Sequence, residues 1–413
     1  MLIPIFDIEL MRKLSLLIFL LCVWISLKNQ NAEPKKGITT ARWSSSVNSS
    51  LVFSASPLPQ LMVLSSKKDV LEFNDSGSLE YNFYRNSCPQ AEQIVRAVVQ
   101  RLHEARPDVV PALLRLVFHD CFIEGCDASV LLDAAEGIDS EKESPPNETL
   151  KGFDVIGIIK SELEEACPGV VSCADILVLA ARDSVALAGG PFYPLCTGRR
   201  DSSNSFSDLA TNELPSPFHD LSQTLASFAS RGFDEREAVS LLGAHSIGVI
   251  HCKFLQNRLY NFSGTDGPDP SVETSFLNLM RSKCNNTHTS SSSSSATAYS
   301  YGGSLSSYGA QQSPSHDGSP SSSPEEPGMA MDYEGPRSPF GTLYYHSLLQ
   351  GRGILYVDQQ LMAGEETGNW VSAYASHTSL FRRDFALAMM KLSNLQVLTA
   401  PTGHIRLNCS KVG

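Results

Sequence analysis

Apolar residues recur every three or four positions along most of the chain, which is the pattern of helices that bury one face. Strand-like alternation is scarce, and Gly and Pro clusters such as 189–191 and 215–217 separate the periodic segments. The pattern therefore predicts a mainly α-helical protein. The predicted helices cover residues 90–105, 153–166, 174–188, 221–229, 235–242 and 370–392.

The N-terminal region has a different pattern. An apolar run over 14–27 follows Arg12 and Lys13, and it is shorter than the roughly 20 residues that a membrane-spanning helix needs. We interpret residues 1–32 as a signal peptide, or as an anchor if it is not cleaved, with Met11 as a possible true start. Residues 33–78 have no sustained period and are interpreted as a linker or pro-segment.

A second irregular stretch covers residues 287–328, where 16 of 42 residues are Ser. Such a segment buries too little apolar surface to offset its chain entropy, so we predict a disordered insertion. The remainder of 79–413 is then one domain that this insertion interrupts.

Composition narrows the class of protein. The 42% hydrophobic content permits a large core, and the net charge of −12 argues against nucleic-acid binding, which needs a basic surface. Ten cysteines and several Asn-x-Ser/Thr sequons favour an oxidising, secretory compartment.

One segment carries candidate acid–base chemistry. In LLRLVFHDCF, a helix would place Arg115 and His119 on one face beside Phe118. A permanent cation beside a titratable imidazole can move a proton and stabilise the resulting anion. The alternative is a surface ion pair between Arg115 and Asp120.

The following residues, HDCFIEGCDAS, resemble a loop for a hard cation. Asp120, Asp127 and Ser129 supply oxygens near a flexible Gly, and Cys121 and Cys126 are close enough in sequence to form a small disulfide. A solvated acidic loop is the alternative.

A third motif, LLGAHSIG, lies later in the chain, where His245 continues an apolar helix face. His245 is then either a core residue or a metal ligand whose second nitrogen is backed by a carboxylate.

Together these motifs resemble the secretory plant (class III) haem peroxidases. The resemblance covers 79–286 and 329–413 and includes, in the family's order, LLRLVFHDCF, EGCDAS, VSCADILVLAARD, GRRD, GAHSIG, VDQQL and IRLNC. It implies the plant haem-peroxidase fold, with one haem b between a distal and a proximal half.

The resemblance also implies roles for individual residues. His119 would move the protons of hydrogen peroxide, Arg115 would stabilise charge, and Asn147 would accept a hydrogen bond from His119. Asn147 also begins a sequon, which should stay unglycosylated because the side chain faces the pocket. His245 would be the axial iron ligand, oriented by Asp358, and Phe118 would contact the haem.

Substrates and location follow from the same resemblance. Pro215 and Phe218 would lie where small phenolic donors dock, and the overall reaction would reduce peroxide while donors lose single electrons. The protein would be an extracellular or cell-wall monomer, with membrane anchoring possible if the signal stays attached.

The distal and proximal calcium sites are expected to differ in affinity. The distal set would comprise Asp120, Ile123, Gly125, Asp127, Ser129 and Glu141, the last through water. On the proximal side Ser246 and Asp332 match the family, but Gly335 and Gly341 replace residues with oxygen-bearing side chains. We therefore expect one tightly bound Ca²⁺ and a weakened second site.

Eight cysteines match the family's disulfide framework, whereas Cys22 belongs to the signal segment and Cys196 stands where a Pro is usual. We interpret Cys196 as a small buried apolar residue. The implied pairs are Cys88–Cys167, Cys121–Cys126, Cys173–Cys409 and Cys252–Cys284.

Two other functions compete with a peroxidase. A wall- or membrane-associated structural protein with little turnover would explain the altered proximal motif and the Ser-rich stretch. A zinc or copper protein using His119, His245 and His251 is a poor alternative, because these residues lack compact ligand spacing.

Overall fold

Helices dominate the part of the chain that the computed structural model describes, which is residues 79–284, 327–331 and 340–412. The predicted signal segment 1–32, the linker 33–78, Asp332 and nearly all of the Ser-rich range lie outside these residues. Within the described ranges, no helix is both long and apolar enough to cross a membrane.

The described residues form thirteen α-helices, numbered here in chain order. Their bounds are α1 Ala91–Ala105, α2 Val109–Cys121, α3 Phe153–Ala166, α4 Cys173–Leu187, α5 Ser207–Glu213, α6 Leu221–Ser230, α7 Glu235–Leu242, α8 Gln256–Tyr260, α9 Thr274–Cys284, α10 Leu343–Leu349, α11 Tyr356–Gln360, α12 Glu365–Ser376 and α13 Thr378–Leu392.

One predicted helix is wrong. Residues 370–392 form two helices, α12 and α13, because His377 has φ −133° and ψ 84° and interrupts the helical backbone. Its carbonyl accepts the amides of Leu380 and Phe381 and so begins α13. A break of a single residue leaves the apolar period almost undisturbed, which is why the pattern did not reveal it.

Strands are as few as expected. Glu80–Tyr81 (β1) pairs antiparallel with Cys196–Thr197 (β2), and Val249–His251 (β3) pairs antiparallel with Gly328–Ala330 (β4). The second pair is important for the site, because β3 follows directly on the turn that carries His245. Gly328, the last residue of the Ser-rich range, lies in β4.

The core is built around α4, in which every residue from Cys173 to Val185 is buried. Its charged side chains have charged partners: Asp175 accepts from Arg199 at 2.8 Å, and Asp183 accepts from Arg182 at 3.0 Å. Buried charges are tolerated only when they are paired in this way. Helix α2, which carries the distal site, packs against this core helix.

Disulfides join distant parts of the chain to this core. The structure forms the four pairs that the family resemblance implies, and Cys196 is a half-buried free thiol on β2. The pairs are Cys88–Cys167, Cys121–Cys126, Cys173–Cys409 and Cys252–Cys284.

Candidate active site

The distal half of the site centres on His119, in the last turn of α2. Its Nδ1 lies 2.7 Å from Oδ1 of Asn147, while Nδ2 of Asn147 donates to the Glu141 carbonyl at 2.8 Å. Because the amide nitrogen is used in this donation, Oδ1 is the acceptor and His119 must carry its proton on Nδ1. The lone pair of Nε2 is therefore left to accept a proton in the pocket.

His119 is kept neutral by its surroundings. Burial, reinforced by the positive charge of Arg115, lowers its pKa to about 3, although the Asn147 hydrogen bond partly opposes the shift. A neutral imidazole is the form that can act as a general base. Asn147 is itself buried and engaged on both of its amide atoms, so its side chain is poorly available for glycosylation.

Arg115 lies one helical turn before His119 and is fixed by two acceptors. One guanidinium nitrogen donates to the Pro146 carbonyl at 2.9 Å, and the other donates to Oγ1 of Thr149 at 3.0 Å. Burial lowers the pKa of Arg115 to about 10, so the group remains a cation near neutral pH. Sequence reasoning missed Thr149, whose only visible signal is its place in the Asn147 sequon.

The proximal half centres on His245, which does not continue the face of α7 as expected. Helix α7 ends at Leu242, and His245 lies on a 3₁₀ turn over Gly243–Ser246. The turn is tightly packed, since a Cβ on Gly243 would lie against the Tyr345 hydroxyl and 2.6 Å from the ring of Phe381. The turn directs His245 Nδ1 to Oδ1 of Asp358 at 2.8 Å.

His245 has an electrostatic setting opposite to that of His119. Burial alone would lower its pKa, but the charge and hydrogen bond of Asp358 outweigh burial and raise it. The positive charge of Arg115 lowers the pKa of both imidazoles. About a third of the His245 side chain (34%) is exposed.

These contacts suit a haem. Donation from Nδ1 to a carboxylate leaves the Nε2 lone pair of His245 as an iron ligand and makes the imidazole more electron-rich. His119 and Arg115 would then lie on the opposite face of the haem. Two of the three histidines considered for a zinc or copper site, His119 and His245, thus have different partners at Nδ1, an amide and a carboxylate.

Aromatic side chains lie beside His119 and at the expected donor-docking position. Phe118 is half-buried and lies between His119 and Phe122, with ring centroids 6.1 and 4.8 Å away. Phe218 is 50% exposed and pairs with Phe254 at 6.5 Å, while Pro215 is half-buried nearby in sequence. The exposed Phe218 ring, backed by the half-buried Phe254, offers an apolar surface on which a ring-shaped donor could stack.

The distal cation loop contains buried anions without enough protein partners. Oδ1 of Asp120, Oγ of Ser129 and Oε2 of Glu141 are buried and have no hydrogen-bond partner among the described residues. Burial raises the pKa of Asp120 and raises those of Asp127 to about 6 and Glu141 to about 7. A cation would stabilise the ionised forms, so the donor set suits Ca²⁺.

The backbone of this loop also suits a cation. Ile123 is fully buried, and Gly125 has φ +97°, where a Cβ would lie 2.6 Å from the Leu395 carbonyl. Only Gly fits there. In the described part of the chain, no three His, Cys, Asp or Glu side chains converge as a metal site. The candidate calcium set therefore depends on carbonyl and hydroxyl oxygens beside its carboxylates.

The proximal side offers fewer oxygen donors for a cation than the distal loop does. Oγ of Ser246 is buried without a hydrogen-bond partner among the described residues, as a ligand would be. Gly341 contributes no side-chain oxygen, and Asp332 and Gly335 lie outside the described residues.

The chain matches known proteins over most of its length. The family model described as "Peroxidase" matches residues 95–377. "Putative Peroxidase 48" of Arabidopsis thaliana is 51% identical over 358 residues, which is 85% of this chain and 86% of that protein. "Peroxidase 57" and "Peroxidase 28" of the same plant are 39% and 37% identical, over 81% and 80% of this chain and 92% of each relative.

This chain therefore belongs to the peroxidase family, among the secretory plant peroxidases. The prediction of a mainly α plant peroxidase fold is confirmed. Peroxidase function is confirmed as well, and the alternative of a structural protein with little turnover is not favoured. The family implies a haem cofactor, hydrogen peroxide and a donor substrate.

Proposed function

We propose that this protein reduces hydrogen peroxide in the pocket between His119 and His245 and oxidises small phenolic donors at the rim. The observation that supports this best is the pair of oriented imidazoles, one bound to a neutral amide and one to a carboxylate. Bound haem b would supply the redox chemistry: two electrons to peroxide, followed by single-electron oxidation of donors.

The chain's own residues would handle protons and charge. His119, held neutral by burial, would accept a proton from peroxide at Nε2 and return it to the departing oxygen. Arg115 would stabilise negative charge on that oxygen. His245 would hold the iron from the other face, with Asp358 fixing its ring. Phe118 would contact the haem, and donors would dock near Pro215 and Phe218.

We further propose one tightly bound Ca²⁺ in the distal loop and at most a weak proximal site, because of the difference in oxygen donors described above. Secretion into the cell wall as a monomer accords with the four disulfides and with the apolar run near the N-terminus.

The test is spectroscopic and kinetic. The purified chain should show a Soret band that changes on adding peroxide, and His245→Ala should abolish the normal band. His119→Ala should retain the haem but react with peroxide about 10²- to 10⁴-fold more slowly. His404→Ala, which alters an exposed histidine, is the control and should behave as wild type. A wild-type chain without a Soret band, or an unimpaired His119→Ala variant, would refute the assignment.

A further inference from the structure

The carboxylate behind His245 has a second hydrogen-bond donor. Oδ1 of Asp358 lies 2.8 Å from Nδ1 of His245, and the same oxygen accepts the phenol of Tyr344 at 2.9 Å. The other oxygen, Oδ2, is buried and has no hydrogen-bond partner in the described part of the chain. Both donors therefore act on one oxygen of a fully buried carboxylate.

Tyr344 is placed for this contact by α10 and is itself fully buried. Its ring lies edge-on to His245 at 6.5 Å and edge-on to Tyr345 at 4.9 Å. The neighbouring Tyr345 points its hydroxyl elsewhere, to the Val239 carbonyl at 3.0 Å. Tyr344 and Tyr345 are thus adjacent buried tyrosines with different acceptors. Among the described contacts, only the Tyr344 hydroxyl binds Asp358.

Sharing an acceptor has an electrostatic consequence. In a buried site a hydrogen bond to a carboxylate offsets part of its negative charge, and this effect is stronger than in water. Less charge then remains on Oδ1 to attract the proton of His245. The strength of the His245–Asp358 bond controls how electron-rich the imidazole is, and this is one of the means by which a protein sets a haem's potential.

We propose that Tyr344 is a positioning and tuning residue of the proximal site, whose hydroxyl limits the negative charge that Asp358 transmits to His245. The inference rests on the proposed role of His245 as haem-iron ligand. Tyr344 acts through Asp358 and has no part in proton transfer on the distal face.

The experiment compares Tyr344→Phe with Tyr345→Phe, since each removes one buried hydroxyl from α10. In Tyr344→Phe, the iron–histidine stretching frequency of the reduced protein should rise and the iron midpoint potential should fall. Both should stay at the wild-type values in Tyr345→Phe. An unchanged or lowered stretching frequency in Tyr344→Phe, or an equal shift in both variants, would overturn the proposal.

A separate measurement distinguishes this inference from the proposed function. If the wild-type chain shows no Soret band, the haem assignment fails, and the hydrogen bond is then followed by NMR on the full chain labelled at histidine nitrogen. Removal of the Tyr344 hydroxyl should move the His245 Nδ1 proton downfield, because Asp358 becomes the stronger acceptor. An unmoved resonance would overturn the proposal, as would an equal movement in Tyr345→Phe.

Discussion

The distal and proximal halves of the site use the same side chain in opposite ways. His119 bonds a neutral amide next to a cation, and its pKa falls to about 3, mainly through burial. His245 bonds a carboxylate, which raises its pKa despite burial. In the proposed function, the partner at Nδ1 thus separates a proton acceptor, His119, from an electron-rich iron ligand, His245.

The two halves differ equally in their cation sites. The distal loop contains buried oxygens of Asp120, Ser129 and Glu141 that have no hydrogen-bond partner among the described residues. On the proximal side Ser246 keeps its oxygen, whereas Gly341 has none to offer. From this contrast we predict that the distal loop needs a cation for stability and that the proximal side depends on one less.

The largest expected effect concerns the distal calcium. Metal analysis after dialysis should find one Ca²⁺ per chain, and chelation should lower the free energy of unfolding. At free calcium 100-fold above Kd, a bound ion adds about 2.7 kcal/mol, which is the loss expected on chelation. Asp127→Asn should lose both the ion and the sensitivity to chelator, because one buried carboxylate charge is gone.

Ser246→Ala is the matched variant for the proximal side. It should keep one Ca²⁺ per chain and the full response to chelator. The contrast between the halves would fail if wild type held two ions per chain after dialysis, or if Asp127→Asn still responded to chelator as wild type does.

A smaller effect is expected at Thr149. Thr149→Val keeps the shape but removes one of the two acceptors that hold Arg115. Losing one net hydrogen bond costs about 1 kcal/mol, so the rate of reaction with peroxide should fall about fivefold. Stopped-flow measurement of that rate would test this.

Thr149→Ser restores the hydroxyl and should restore the rate. A rate in Thr149→Val equal to wild type would show that the Pro146 carbonyl alone orients Arg115. A loss that persists in Thr149→Ser would indicate a packing defect instead.

Most of the fold and the residue types of the site could be predicted from the sequence. Little of the geometry that brings those residues together could be. Amphipathic periods marked Phe153–Ala166 and Glu235–Leu242 at their true bounds, because each helix buries one continuous face. The break at His377 was missed, since a single non-helical residue barely shifts the apolar period. The 3₁₀ turn of His245 begins at Gly243, which packs against Phe381, 138 positions later, and no local pattern records that contact.

The hydrogen-bond partners of the site residues could likewise be predicted only in part. The family resemblance implied the His119–Asn147 and His245–Asp358 pairs, both of which are in hydrogen-bond contact. Thr149 and Tyr344 were not singled out, because Thr and Tyr are common and their roles arise only from where the backbone places one hydroxyl.

The smallest expected change is in the pH dependence of the rate of reaction with peroxide. The contrast between the two histidines predicts that this rate is nearly constant around neutral pH. His119 has its pKa lowered from the ordinary value of about 6.5 to about 3, so its base form is fully present above pH 4 to 5. The rate of reaction with peroxide should therefore stay level from pH 8 to about 5 and fall only as pH approaches 3. Stopped-flow rates across this range check it, with buffer controls for acid unfolding. A decline centred near pH 6.5 would mean that His119 titrates like an exposed imidazole, and that burial and Arg115 do not set its protonation.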